Sequence, residues 1–308
     1  MYAPIVLFAY KRPTHLAKTL AALQANTLAP HSDLIIFSDG PKSDADVEAV
    51  ERCRRLASSI HGFSSVRLEV QPTNQGLARS VISGVTNIMK THGRAIVLED
   101  DILTTPQFLS YMNSALNWYQ SDPKAFSITG YTYPGARLHI PDDYAFDTYP
   151  AYRSSSWGWA CWGDRWARID WTMDYYERFM ADKVAQAAFN RGGDDLVPML
   201  RLQKQGRIDS WAIRFAYAHY AFGSRCIHPV RTLVSNIGLD NSGTHTGESP
   251  MHMHAEVEKD WLPIRFCPGD ILDPRIAAAF HAAASPPRVG LPWRILRKVL
   301  RIAGLKRT

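Results

Sequence analysis

Short apolar runs alternate with longer amphipathic stretches along the first part of the chain. Residues 3–9, 33–38, 65–70 and 94–98 are rich in β-branched and aliphatic side chains and close to strand length. Between them lie 13–26, 43–58 and 76–90, where apolar residues recur at three and four: Leu16, Leu20, Leu23; Val47, Val50, Leu56; Leu77, Val81, Val85, Ile88. That is the spacing of an amphipathic helix. Pro13 suits a first helical turn, and Ser43 with Asp46 three residues later resembles a capping box. The order βαβαβαβ predicts an α/β fold on buried parallel strands with right-handed crossovers. Ligands then bind beyond the carboxyl ends of the strands.

Tyr10-Lys11-Arg12, Asp39-Gly40 and Glu99-Asp100-Asp101 all fall at such ends. The last of these is the sharpest chemical signal, because three consecutive carboxylates repel one another unless something positive sits among them. Mg²⁺ or Mn²⁺ held by one or two carboxylates is the usual remedy, with water and substrate phosphates completing the shell. A solvated acidic turn is the plainer reading of the same three residues.

Charge is unevenly placed. From Arg288 onward there are seven basic residues and no acidic one, and subtracting these from the formal +6 leaves the body at about −1. A body so balanced is not a nucleic-acid surface. In the tail, Arg294, Arg297, Lys298 and Arg301 follow i, i+3, i+4, i+7, with Trp293, Leu296, Val299 and Leu300 on the other side, after Ser285-Pro286-Pro287. This predicts a basic amphipathic helix that docks on an anionic membrane surface, or one that packs on the body. No apolar run approaches the roughly 18 residues of a spanning helix. The N-terminal run ends at Lys11 without a basic leader, which reads as strand rather than signal peptide. Cys53, Cys161, Cys226 and Cys267 lack any Cys-x-x-Cys spacing and fit reduced thiols. A cytoplasmic enzyme, peripheral on the inner face of the cell membrane, is the expected localisation.

From residue 131 to 176 the chain is crowded with aromatics that follow no clean period. Tryptophan and tyrosine offer faces on which sugars stack, although they also fill ordinary cores. In Ser156-Trp157-Gly158-Trp159-Ala160-Cys161-Trp162 the glycine between two tryptophans predicts close backbone approach and a site wall.

With these motifs in order, residues 3–247 resemble inverting glycosyltransferases of the GT-A fold, similar to N-acetylglucosaminyltransferase I and to bacterial family 2 type transferases. The resemblance implies a Rossmann-like nucleotide-sugar half over 1–130 with a mixed central sheet, and an aromatic-rich acceptor and catalytic half over 131–284. The linker and basic helix follow over 285–308. It places Arg12, Asp39, Glu99 and Asp100 on the donor nucleotide, with Asp101 on the metal. Trp157 and Trp159, with Trp166, would lie at the acceptor. Asp122-Pro123 and residues 125–130 match the next strand of the family, and Cys226-Ile227-His228-Pro229 a later one. Ile208-Asp209-Ser210-Trp211 resembles the segment in which an aspartate before a tryptophan acts as base. Here Asp209 stands one residue farther from the tryptophan than in the eukaryotic pattern, so Asp195 remains the other candidate. The loop 236–245 matches one that folds over the donor diphosphate, bringing Ser242 and His245 to it.

The chemistry explains those residue types. Breaking the anomeric C–O bond loads negative charge onto the leaving diphosphate, which a metal and cationic groups stabilise. Arg79, in the turn Asn74-Gln75-Gly76 entering a helix, is a candidate to assist, or else a solvated helix arginine. A carboxylate on the opposite face of the sugar takes the acceptor's proton, and one displacement inverts the anomeric centre. His245, His252 and His254 share one loop and admit three readings: a donor lid, a plain polar loop or a loose zinc site. Two other functions compete. A sugar-nucleotide nucleotidyltransferase would need a glycine-rich loop after the first strand, which Ala9-Tyr10-Lys11-Arg12-Pro13 lacks. A non-catalytic carbohydrate-binding protein would use the tryptophans without the metal.

Overall fold

The computed structural model describes residues 2–240 and 260–286. The predicted alternation is present: β1 (Ile5–Ala9), α1 (Pro13–Gln24), β2 (Asp33–Ser38), α2 (Asp44–Ser59), β3 (Ser65–Val70), α3 (Leu77–His92) and β4 (Arg94–Glu99). After them come β5 (Ile102–Thr104), α4 (Phe108–Trp118), β6 (Ala125–Thr129), β7 (Thr148–Ala151), β8 (Trp159–Trp162) and α5 (Gly163–Trp166). Short helices α6 (Tyr176–Ala181), α7 (Lys183–Phe189) and α8 (Leu196–Lys204) lead to α9 (Trp211–Ala221), β9 (Arg225–Pro229), β10 (Val234–Asn236) and α10 (Pro274–Ala284).

Eight strands form one mixed sheet in the order β3-β2-β1-β4-β8-β6-β9-β7. The first four are parallel, with Ile5 level with Leu34 on one side and Ile96 on the other. Strand β8 runs antiparallel between β4 and β6, and β9 runs parallel to β6. The sheet therefore draws on residues from both sides of position 130. Strands β1, β2, β4, β6 and β9 all end at the same edge.

Both faces are covered, which is why the strands read as unbroken apolar runs. Ile5 and Leu7 pack with Leu16, Leu20 and Leu23 of α1 and with Leu109, Met112 and Leu116 of α4. Val6 and Phe8 point the other way, onto Val81, Val85 and Ile88 of α3 and Phe215 of α9. Three expectations need correction. Strand β3 is an edge strand and largely exposed rather than buried, because nothing pairs or packs beyond it among the described residues. Val47 and Leu77 belong to the predicted helix faces yet are exposed at 42% and 38%, since each sits at the first turn of its helix, beyond the sheet it covers. Ser43 does precede α2, but its hydroxyl caps no amide and Asp46 is turned toward β1. Ser242, His245, His252, His254 and the basic tail lie outside the described residues.

Candidate active site

The acidic triplet ends β4 at the common edge, where strand alternation sends its side chains in different directions. Asp101 and Asp100 are buried, and both meet one guanidinium. Arg12 Nη2 contacts Asp100 Oδ1 and lies 2.9 Å from Asp101 Oδ2. Burial opposes the charge of Arg12, but the two carboxylates more than offset it and hold the guanidinium charged. Burial pushes Asp100 up despite Arg12 beside it. Glu99, half-buried, is pushed up to about 8 by burial and then by its two acidic neighbours. Arg12 is thus one positive group among the three carboxylates.

What it leaves unsatisfied is specific. Asp101 Oδ1 is buried and has no hydrogen-bond partner among the described residues. A buried carboxylate oxygen without a partner is costly unless a cation or water meets it. No cluster of three or more His, Cys, Asp or Glu gathers among the described residues to form a closed metal cage. The single open carboxylate oxygen fits Mg²⁺ or Mn²⁺ held by one carboxylate and completed by phosphate and water.

Strand β5 follows Asp101 directly and pairs antiparallel with β10, Asn236 opposite Ile102. That pairing returns the chain to the triplet. Ile237 N–H donates to the Asp101 carbonyl at 2.9 Å. Gly238 passes so close that a Cβ there would collide with the Asp101 carboxylate and Arg12, so only glycine fits. His15 in the first turn of α1 holds the same loop, with Nε2 3.3 Å from the Ile237 carbonyl and 3.2 Å from Asp240 Oδ2. Sequence reasoning missed His15. Its place three residues after Arg12 on a helix, hence on the same side, was the available signal.

Around this centre the other candidates occupy distinct positions. Asp39, at the end of β2, accepts from the backbone N–H of Gly40, Gln75 and Gly76 and from Asn74 Nδ2, at 2.8–3.0 Å. All its lone pairs are thereby engaged in fixing the turn into α3, where Gly76 has φ of +78°. Arg79 is exposed in the first turn of that helix. Asp46 receives Lys11 Nζ at 2.7 Å and the Tyr10 hydroxyl at 2.8 Å, fixing the loop that carries Arg12; those bonds hold its carboxyl below the usual range.

The two candidate bases differ. Asp209 is exposed and pairs with Arg214 at 3.3 Å. Its segment lies beside the triplet: the Trp211 side chain favours the charged form of Glu99 against burial, and Ser210 caps α9 by accepting from Ile213 N–H at 3.3 Å. Asp195 instead forms a two-point ion pair with Arg153, at 2.6 and 2.9 Å, beside α10. Of the tryptophans, Trp157 is half-buried against Tyr131, ring centroids 4.5 Å apart. Trp159 is corrected to core: it is 1% exposed and stacked on Trp166 and Trp211, so its ring reaches no acceptor. Trp166 is buried with it. The glycine between them does mark close approach, since Gly158 has φ of +55° and a Cβ there would meet Phe108 and Val234 at 3.0 Å.

No protein-family model matches the chain, and no curated protein matches it. Among solved structures it is similar to the mannosyltransferase PcManGT from Pyrobaculum calidifontis in complex with GDP-Man and Mn²⁺, with TM-score 0.36 and 15% identity over 52% of this chain and 45% of that one. It is also similar to residues 1–349 of TarS from S. aureus, with TM-score 0.41 and 10% identity over 76% of this chain and 60% of that one. The chain spans about half the length of these neighbours, and likenesses this distant assign no activity.

Proposed function

We propose that the chain is a metal-dependent inverting glycosyltransferase, moving a sugar from a nucleotide diphosphate sugar, UDP-linked by resemblance, to a saccharide or lipid-linked acceptor in bacterial envelope glycan synthesis. The observation that carries this is Asp101 Oδ1, buried at the carboxyl edge of a parallel sheet with no partner among the described residues while Oδ2 is held by Arg12.

Asp101 would hold Mn²⁺ or Mg²⁺ through Oδ1. Such an ion, when bound, screens the charge that gathers on the departing diphosphate. Arg12 keeps Asp100 and Asp101 oriented and adds its own positive charge at that edge. Asp39 positions the turn at 74–76, so the α3 N-terminus and Arg79 face the donor side. Glu99, at the donor end of β4, lies next to Trp211, which begins the helix that follows Asp209. Asp209 then takes the proton of the acceptor hydroxyl, and Trp157 with Tyr131 walls the acceptor. Asp209 is preferred to Asp195 because Arg153 already engages both oxygens of Asp195. Ser242 and His245 would close on the diphosphate, and the seven cations from Arg288 onward would hold the enzyme on the anionic inner face of the membrane.

Thermal denaturation with a panel of nucleotides and nucleotide sugars, with and without Mn²⁺, tests the reading. A ligand at 100 times its Kd stabilises by about 2.7 kcal/mol. A shift that requires both nucleotide diphosphate and Mn²⁺ is expected; no shift with any of them overturns it.

A further inference from the structure

The sheet ends on an open edge whose residues match their own inverted copy. Strand β3 is the outermost strand at the parallel end, and among the described residues none pairs beyond it. Edge strands carry unpaired N–H and C=O groups, and proteins commonly guard them with charges that repel a second strand. The opposite end of the sheet is guarded in another way. Strand β7 is buried throughout and carries Pro150, which lacks a donor.

The sequence Ser65-Val66-Arg67-Leu68-Glu69-Val70 guards against most pairings with itself but not against one. Antiparallel pairing centred on Arg67 sets arginine against arginine, and centring on Glu69 sets glutamate against glutamate. Centred on Leu68, it sets Arg67 across from Glu69 of the second copy and Val66 across from Val70, each twice by two-fold symmetry. Side chains directly opposite stand about 4.5–5.5 Å apart at Cβ, close enough for ion pairs and apolar contact. The surface is available: Val66 and Val70 are 37% and 47% exposed. Arg67 and Glu69 are paired within the strand at 2.9 Å with half-exposed side chains, so the two internal pairs, one in each copy, can be exchanged for two intermolecular ones without loss.

We propose that two copies of this chain associate through β3, antiparallel about Leu68, joining their sheets into one. The carboxyl edges of the two sheets then face opposite ends of the joined sheet, so both Asp101 sites stay open.

Sedimentation velocity of the full chain, from low micromolar to high micromolar concentration, tests this through charge exchange at exposed positions. The wild type should dimerise as concentration rises. Arg67→Glu and Glu69→Arg should each weaken the dimer at least about tenfold, because both cross-strand ion pairs become like-charge pairs. An equimolar mixture of the two variants should dimerise, and the double exchange Arg67→Glu/Glu69→Arg should match the wild type. A wild type that stays monomeric, single variants that dimerise as well as wild type, or a mixture that stays monomeric would each overturn the proposal.

Discussion

Asp101 and Asp209 are both short acids at the same side of the sheet, and their surroundings are opposites. Asp101 is 9% exposed at its side chain, held by Arg12 and crowded by Gly238. Asp209 is 69% exposed and, among the described residues, pairs with Arg214 of the helix that follows it at 3.3 Å. A buried carboxylate oxygen without a partner is costly until a cation or water meets it, so that position is set before any ligand arrives. An exposed aspartate carries no such cost. On the proposed reading, the metal position would follow from the chain's own energetics, whereas the base would acquire its role only with substrates in place.

That contrast orders the expected effects. Asp101→Asn keeps the shape but removes the charge that holds a hard cation, so metal-dependent nucleotide diphosphate binding should vanish in calorimetry. Unchanged affinity would mean that Asp101 is as uncommitted as Asp209. Asp209→Asn should leave that binding intact and lower turnover by about 10² to 10⁴, the usual contribution of a general base. Steady-state kinetics beside Asp195→Asn decides the pair: selective loss in the Asp195 variant would move the base to the Arg153 side.

The tryptophans carry the same contrast between built and recruited positions. Trp159→Ala should cost about 3–5 kcal/mol in urea denaturation, as for other large aromatic deletions in a core. Trp157→Ala should cost less stability and instead raise KM for the acceptor. Equal destabilisation by both would place Trp157 in the core as well.

The smallest effect concerns the buried histidines behind the site. His219, with Nε2 2.7 Å from Ser127 Oγ, and His228, between the carbonyls of Tyr131 and Arg153, are lowered to about 4 by burial. His219, with Nδ1 on the Phe215 carbonyl and Nε2 able to accept from Ser127, is satisfied as a neutral ring, whereas the two carbonyls at His228 oppose part of the effect of its burial. Stability from His219 is full above about pH 6.5 and is lost as pH falls toward 4. Denaturation between pH 7 and 4.5 should show a slope of up to about 1.4 kcal/mol per pH unit from the His219 proton, and His219→Gln should remove that contribution. A flat profile would contradict the assignment of the His219 ring as neutral.

Local pattern settled the parallel half of the fold. Strands covered on both faces must be continuous runs of apolar residues, and helices that cover them must repeat at 3.6, so β1 to β4 and α1 to α3 were legible within a residue or two. The acidic triplet at a strand end, with Arg12 and Asp39 at neighbouring ends, was equally legible because parallel topology sends all those ends to one edge. Other features depended on contacts between residues far apart in the chain. Nothing local tells that β8 inserts antiparallel between β4 and β6, which is what buries Trp159 while leaving Trp157 at the rim. Nothing local turns Asp46 from a helix cap to Lys11 and Tyr10, brings His15 and Gly238 to Asp101, or leaves β3 at the edge of the sheet. Periodicity records which face of an element is apolar. Which neighbour meets that face, and which polar atom is left without one, is fixed only when the chain closes on itself.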